Sequence, residues 1–528
     1  MSKFRTGPLA MFVAMIALAS CTQEPQTTET TVLEEDTRSV DSIQWFDGTV
    51  DEAFAVAKVV GKPIFLYWGA EWCPPCHAIK ATVFRSAEFI ARSHLFVAVY
   101  IDGDSENAQA EGERFGLLGY PTMIVFDPEG NELTRIPGGI DIQAYANILD
   151  LILDKVAPVS DLVNSLASEG SKLSANECRL LAYNSWGQNP EVLQELDEVE
   201  LFRNIYDACP AELQPERSIV YMQYFDVLLD SLDTELVESS LDEQQIKEAT
   251  EVIFGILDNY ELVRANVFSV ILDAANITSA LSEKDSDKRQ HMVDAFLAAI
   301  DRLYADESVY KRERVYTVLG KIRLEQIDDS EAKLSDELQA EVLSVVAWAD
   351  ESTPDPYQRH AIINASSNVL EEAGMPKEAK ALLLAELDRS KQPYYFMLSL
   401  GDIEQEAGNY DEAIAWFKKA YDISTGPATR FQWGYYYVVS LMEMAPDDAA
   451  LIKSATIDVI RELEAGSGFY QRPKAQLARL EQKLMNWSEE TEQADTITAI
   501  RTDVLVICGN FEGQEGSYET CQSFLDSA

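Results

Sequence analysis

The spacing of apolar and polar positions changes character along the chain. Leu9 to Ala19 is an unbroken apolar run of eleven residues behind the basic Lys3 and Arg5. Between Ser42 and Val156, short apolar runs alternate with amphipathic stretches. Ile64-Phe65-Leu66-Tyr67-Trp68, Leu95 to Ile101 and Met123 to Phe126 are predicted strands, and the turn Asp127-Pro128-Glu129-Gly130-Asn131 returns Glu132 to Ile136 as a hairpin partner. Val50 to Val60, the stretch after Cys76 to about Arg92, and Ile142 to Val156 are predicted helices. Beyond Ala157 strand-like alternation ceases for roughly 370 residues. There Ile219 to Leu232, Ile246 to Leu257 and Met292 to Leu303 carry apolar residues three and four apart, the period of an amphipathic helix. The fold class that follows is a small α/β domain joined to a large all-α region.

Charge narrows the partners. Against 42 Lys+Arg stand 90 Asp+Glu, a formal net charge of −48, which repels a phosphate backbone and makes nucleic acid a poor partner. The acid is spread over the whole length and reads as a solubilising surface; it does not identify a substrate. The eleven-residue run is too short for a membrane-spanning helix, which needs about 20 residues, and behind a basic start it reads as an export signal. It ends in Leu18-Ala19-Ser20-Cys21, which resembles the lipobox of bacterial lipoproteins. That resemblance implies cleavage before Cys21, lipidation of Cys21, and membrane contact through the lipid anchor alone. An ordinary secretory signal with a chance cysteine is the alternative. Thr22 stands where an inner-membrane retention signal places Asp, which implies the outer membrane of a bacterial cell envelope, facing the periplasm. Thr22 to about Val40, rich in Thr and Glu, reads as a tether.

Seven cysteines less Cys21 leave six, an even number that suits an oxidising compartment. Cys73 and Cys76 are the close pair. Cys178 with Cys209 and Cys508 with Cys521 are the nearest remaining neighbours and are proposed as structural disulfides, free buried thiols being the alternative.

The candidate chemistry lies in Ala70-Glu71-Trp72-Cys73-Pro74-Pro75-Cys76-His77, at the join between a strand and a helix. The N–H groups and dipole of a helix start stabilise negative charge, so the first thiol ionises more readily. As thiolate, Cys73 attacks a disulfide, and Cys76, one turn on, resolves the mixed disulfide. Pro74 and Pro75 contribute no N–H and stiffen the turn of the active-site loop. The same residues satisfy Cys-x-x-Cys-His, the c-type haem attachment pattern, but the motif abuts a strand inside a complete α/β pattern, which favours the dithiol. No second Cys-x-x-Cys or His pair lies nearby, so no zinc or other metal site is expected, and no cofactor beyond the redox-active pair itself.

Trp72-Cys73-Pro74-Pro75-Cys76 after an apolar strand, with Gly119-Tyr120-Pro121-Thr122 before another, resembles a thioredoxin-fold oxidoreductase. Gly61-Lys62-Pro63 and Phe126-Asp127-Pro128-Glu129-Gly130 sharpen the likeness toward the domain that ends the bacterial transmembrane thiol–disulfide interchange reductase. The resemblance covers about 115 of 528 residues. It implies that Pro121 is a cis-proline beside the active site, and that Trp72, Tyr120 and Thr122 hold the substrate peptide. It also exposes two departures. Thioredoxin's buried aspartate falls on Tyr67 and its nearby lysine on Ala98, so proton transfer to or from Cys76 needs another route. Glu71 and His77, through water, are the candidates, a solvated surface role being the alternative for each.

In the helical part, Glu372-Ala373-Gly374 and Glu406-Ala407-Gly408 lie 34 residues apart, as do Ala379 and Ala413, and Leu383 and Phe417. This spacing resembles the tetratricopeptide repeat. Leu400, Gly401, Gly408, Tyr410, Ala413, Phe417 and Ala420 match its packing positions best, and a third, degenerate unit begins near Phe431. The aromatic groups Tyr394-Tyr395-Phe396 and Tyr435-Tyr436-Tyr437 read as core. The piece around Cys508 and Cys521 reads as a short loop region stapled to this body.

The expected organisation is a signal over 1–21, a tether over 22–41, a thioredoxin-like domain over 42–156, a helical domain over 157–350, tetratricopeptide-like repeats over 351–490 and a C-terminal extension over 491–528. The expected function is an exported thiol–disulfide oxidoreductase, leaning to reductase. It acts on thiols and disulfides of envelope proteins, draws on an upstream redox donor or acceptor, and holds a protein or peptide partner on the helical repeats, a spacer or stabilising body being the alternative for that region. A scaffold whose thioredoxin-like domain only binds is the second reading.

Overall fold

The computed structural model describes residues 42–138, 142–166, 172–194, 196–232, 241–465, 468–514 and 516–526. Cys21 and the residues read as export signal and tether lie outside them. Residues from Asp41 onward form one compact unit.

The first part is built on a four-stranded sheet in the order β2-β1-β3-β4. Its central strand β1 (Ile64–Gly69) is buried along its whole length, as an uninterrupted apolar run requires. It pairs parallel with β2 (Val97–Asp102) and antiparallel with β3 (Thr122–Phe126). The hairpin read from the sequence is present: β4 (Glu132–Ile136) pairs antiparallel with β3. Asp127 closes the turn by accepting from the Asn131 backbone and side chain, and Gly130 takes the left-handed φ of 96° that the turn needs. Helix α1 (Val50–Val60) starts at a Thr49/Glu52 capping box and stops at Gly61 with φ 68°.

The helix expected from Cys76 to Arg92 is broken. Helix α2 (Pro74–Ala81) ends at Thr82, a short 3-10 turn follows, and Ser86 caps a new helix, α3 (Ala87–Ser93). The reason is local: the Ser86 hydroxyl accepts from the Phe89 N–H, an N-cap inside an otherwise continuous apolar period. Helices α4 (Ala108–Arg114) and α5 (Ile142–Leu153) complete the domain. Alternate β1 and β3 residues serve two cores. Phe65, Tyr67, Met123 and Val125 face Cys73, Cys76, Ile79, Phe89 and Tyr145. Leu66, Trp68, Ile124 and Phe126 face Ala53 and Ala57 of α1.

From Val159 to Ser523 the described residues are helices and connecting turns. The helices Pro356–Glu372 and Pro376–Glu386 pair, as do Pro393–Glu406 and Tyr410–Ile423. Gly374 and Gly408, with φ 68° and 76°, make the turn inside each pair. Gly401 faces the Phe417 ring so closely that an added Cβ would lie 2.8 Å from it, and Ala379, Leu383 and Ala413 are fully buried. One apolar core runs across residue 350, joining Val318, Val342 and Val345 to Ile363, Leu383 and Leu400. The C-terminal piece is not a loop. Ile497, Ile500, Val504 and Ile507, at helical spacing, bury one side of the helix Ala494–Cys508. Cys178 is bonded to Cys209 and Cys508 to Cys521. Among the described residues no helix is long and apolar enough to cross a membrane.

Candidate active site

Strand β1 delivers the chain to Ala70, and two turn residues later Cys73 caps α2. Pro74 and Pro75 occupy the first two helical positions, where a missing N–H breaks no helical bond. The Cys76 N–H points at Cys73 Sγ from 3.1 Å, and the two sulfurs are bonded to each other. The Tyr120–Pro121 bond is cis. Pro121 packs near α2, because a Cβ on Gly138 would touch both Ile79 and the Pro121 ring. Thr122, fully buried, donates to the Gly119 carbonyl.

Beneath the sulfurs the structure is aromatic where a charged pair was missing from the sequence. Tyr67 is fully buried, its ring stacks on Tyr100 at 5.2 Å, and its hydroxyl has no hydrogen-bond partner. Burial drives the Tyr67 hydroxyl pKa far upward, with the nearby Glu71 and Asp102 charges adding to it, so it stays protonated. Ala98 bridges to Trp45, whose ring lies against Tyr67 and Tyr100.

Glu71 is half-exposed and pairs with Lys80, Nζ to Oε1 2.6 Å. Lys80 also donates to Tyr100, whose hydroxyl reaches Asp102 at 3.1 Å. Burial pushes the Glu71 carboxyl up, but the hydrogen bond and charge of Lys80 outweigh it and hold the group below its usual range. Lys80, a lysine on the helix, was not singled out from the sequence; its four-residue offset from Cys76 was the available signal.

His77 departs from the solvated role considered for it. It is only 4% exposed, because the helix Pro356–Glu372 packs directly on α2. Its Nε2 sits 2.6 Å from the Glu71 carbonyl and its ring lies 4.5 Å from that of His360. Burial lowers its pKa, opposed by the hydrogen bond to the Glu71 carbonyl. A dry imidazole is not in position to relay protons through bulk water.

Residues of the helical body complete the surroundings, and of these the sequence marked Tyr395 alone, as core. Trp72 donates from Nε1 to Thr429 Oγ1 at 2.8 Å, stacks on Tyr395 at 6.1 Å and meets Trp433 edge-on at 4.8 Å. His360 Nε2 lies 2.8 Å from the Trp72 carbonyl. Arg472 lies over the Tyr120 ring at 4.5 Å, and Gln188 donates to the Pro121 carbonyl at 2.7 Å. Asp104, after β2, accepts from the Thr429 N–H at 2.9 Å and from its hydroxyl. Cys73 is left 2% exposed and Cys76 not at all.

Residues 50–153 match the model of the thioredoxin-like domain family. Over 104 residues the chain is 33% identical to the thiol:disulfide interchange protein DsbD 1 of Pseudomonas aeruginosa, covering 19% of this chain and 18% of that protein. It is 36% identical over 106 residues to DsbD of Cronobacter sakazakii, again 19% and 18%. With DsbD of Ralstonia nicotianae it shares 34% over 85 residues, 16% and 14%. The chain thus spans under a fifth of the length of these relatives, and the helical body lies outside the span of the family match, residues 50–153.

Proposed function

With residues 50–153 forming a thioredoxin-like domain, we propose that this chain is a thiol–disulfide oxidoreductase of the bacterial cell envelope. The observation that carries the reading is the Cys73–Cys76 pair, bonded at the N-terminus of α2 with the Cys76 N–H directed at Cys73 Sγ. In the reduced form, Cys73 as thiolate attacks one sulfur of a substrate disulfide. That S–S bond breaks, a Cys73–substrate bond forms, and the second substrate sulfur leaves as a thiolate. Cys76 then loses its proton and attacks Cys73 Sγ, the Cys73–substrate bond breaks, the attacked substrate sulfur leaves as a thiolate, and the Cys73–Cys76 disulfide is restored. Two electrons pass to the substrate, and an upstream dithiol donor returns them. The likeness to interchange proteins supports the exchange itself; the reducing direction is part of this proposal.

The finer assignments belong to the same proposal: a lipid on Cys21, an outer-membrane position facing the periplasm, no cofactor beyond the sulfur pair, and tetratricopeptide-like helices that hold a protein or peptide partner. The Lys80–Glu71 ion pair is the group offered for moving the Cys76 proton, replacing the aspartate and lysine absent at Tyr67 and Ala98.

Two variants test the reading. Cys73→Ser is expected to abolish insulin reduction, and Cys76→Ser to accumulate mixed disulfides visible on non-reducing gels. Wild-type turnover in both variants would sink it. The dryness of both sulfurs favours the second reading, a thioredoxin-like module that only binds. A Cys73–Cys76 potential below about −300 mV, outside exchange with glutathione, is the result that reading requires.

A further inference from the structure

Three positions stand out as the places where a substrate peptide would be held: Trp72, Tyr120 and the backbone at Pro121. Each is already engaged by the helical body. Thr429 and His360 take the two ends of Trp72, its indole N–H and its carbonyl. Arg472 covers Tyr120, and Gln188 occupies the Pro121 carbonyl. Trp72 packs with the apolar core of the helical body, between Tyr395 and Trp433, as a residue of that core would.

We infer that Gln188, His360, Thr429 and Arg472 are specificity-determining residues. They seat the helical body on the substrate face as a built-in competitor, so that only a partner able to displace it reaches Cys73. This inference rests on the thiol–disulfide reading of the site.

The chemistry of the contact suits displacement. Much of it is polar and exchangeable: the Asp104 carboxylate accepts from Thr429, Arg85 pairs with Asp355 at 2.9 Å, and Gln188 and His360 bond to backbone carbonyls. A peptide arriving in extended form offers N–H groups to those same carbonyls. An aromatic or basic side chain on the partner would replace the stack on Trp72 or the cation over Tyr120. The class of partner is therefore a protein presenting an extended segment with such side chains beside its disulfide. A compact folded domain with a recessed disulfide is excluded, because it cannot compete for these positions.

The test uses the full chain and reads access separately from turnover. Arg85→Glu combined with Arg472→Glu reverses two charges on the rim of the contact while leaving both apolar cores intact. After reduction, Cys73 is challenged with a maleimide carrying a bulky polymer and its modification is followed by mass spectrometry. The double variant is expected to react about tenfold faster than wild type, as an interface whose open population rises about tenfold would. Thr429→Val, which keeps the volume but loses the bonds to Trp72 and Asp104, is expected to shift the rate in the same direction by a smaller factor. This guards against a double variant that does not fold. If the reduced wild-type Cys73 is modified as fast as in both variants, the helical body is not a competitor and the inference fails. The two readings fail separately: faster modification without Cys73-dependent insulin reduction upholds the cover and removes the oxidoreductase, and equal modification with turnover does the reverse.

Discussion

The Cys178–Cys209 pair and the Cys73–Cys76 pair are kept from water by different means. Cys178 sits in the helix Ala175–Ala182 and Cys209 just after Glu198–Ala208, both inside an apolar cluster with Leu180, Phe202 and Ile205. Their cover is the core of their own region. Around Cys73 part of the cover comes from residues that lie far away in sequence: Thr429 is 357 positions from Trp72 and His360 is 288. It is also rich in hydrogen bonds. The difference teaches that burial alone does not separate a structural disulfide from a reactive one. What separates them is whether the covering can leave without dissolving a core.

The sharpest way to break this comparison is to titrate the three disulfides together. In dithiothreitol buffers read by mass spectrometry, Cys73–Cys76 is expected to reduce at a potential at least about 60 mV above the other two, a hundredfold in equilibrium constant. Coincident titration would put all three in one class. Next in size is stability. Replacing Cys178 and Cys209 by Ala opens a loop of sequence separation 31 and is expected to cost about 3–4 kcal/mol, seen as a lower urea midpoint. The same change at Cys73 and Cys76, separation 3, is expected to cost clearly less. If the two costs are equal, the pair on α2 is structural as well.

A smaller effect probes the cover itself. Asp104→Ala leaves the Thr429 N–H and hydroxyl without their acceptor, an expected loss of about 1–3 kcal/mol. Trp72 fluorescence should shift with it, and an unchanged spectrum would separate this contact from the site. The smallest expected effect is on pH dependence. Burial, and then the neighbouring His77, hold His360 from its ordinary 6.5 down to about 3, against the Trp72 carbonyl, which favours the charged form. The unfolded imidazole takes a proton that the folded one refuses. Stability from this group is therefore complete above about pH 6.5 and lost as pH falls from there toward 3. The urea midpoint should drop between about pH 7.5 and 5, and His360→Asn, which keeps a donor for the Trp72 carbonyl, should flatten that slope.

What was legible in the sequence was local. The Asp127–Asn131 turn, the apolar run of β1 and the cysteine motif each state their conformation within a few residues. Gly374 and Gly408 mark their turns because a left-handed φ favours glycine. The break at Ser86 was written there too, as an N-cap, but the apolar period across it masked the signal. The cover over Trp72 was not legible. Helical periodicity shows that a face is buried, not what lies against it, so Tyr395 reads as core and Trp433, Thr429, His360 and Arg472 as nothing in particular. His77 was misplaced for the same reason: its neighbour Tyr357 arrives from 280 residues downstream.

The paired prolines at the head of α2 have a consequence for acidity. A helix start offers several peptide hydrogens to an anion, yet positions 74 and 75 have none to give, and the hydrogen aimed at the first sulfur comes from Cys76 itself. The residue that supplies this hydrogen is therefore also the one whose side chain must later attack that sulfur and expel the substrate thiolate from it, so any shift of the Cys76 backbone alters the proton affinity of one thiol and the reach of the other in a single movement.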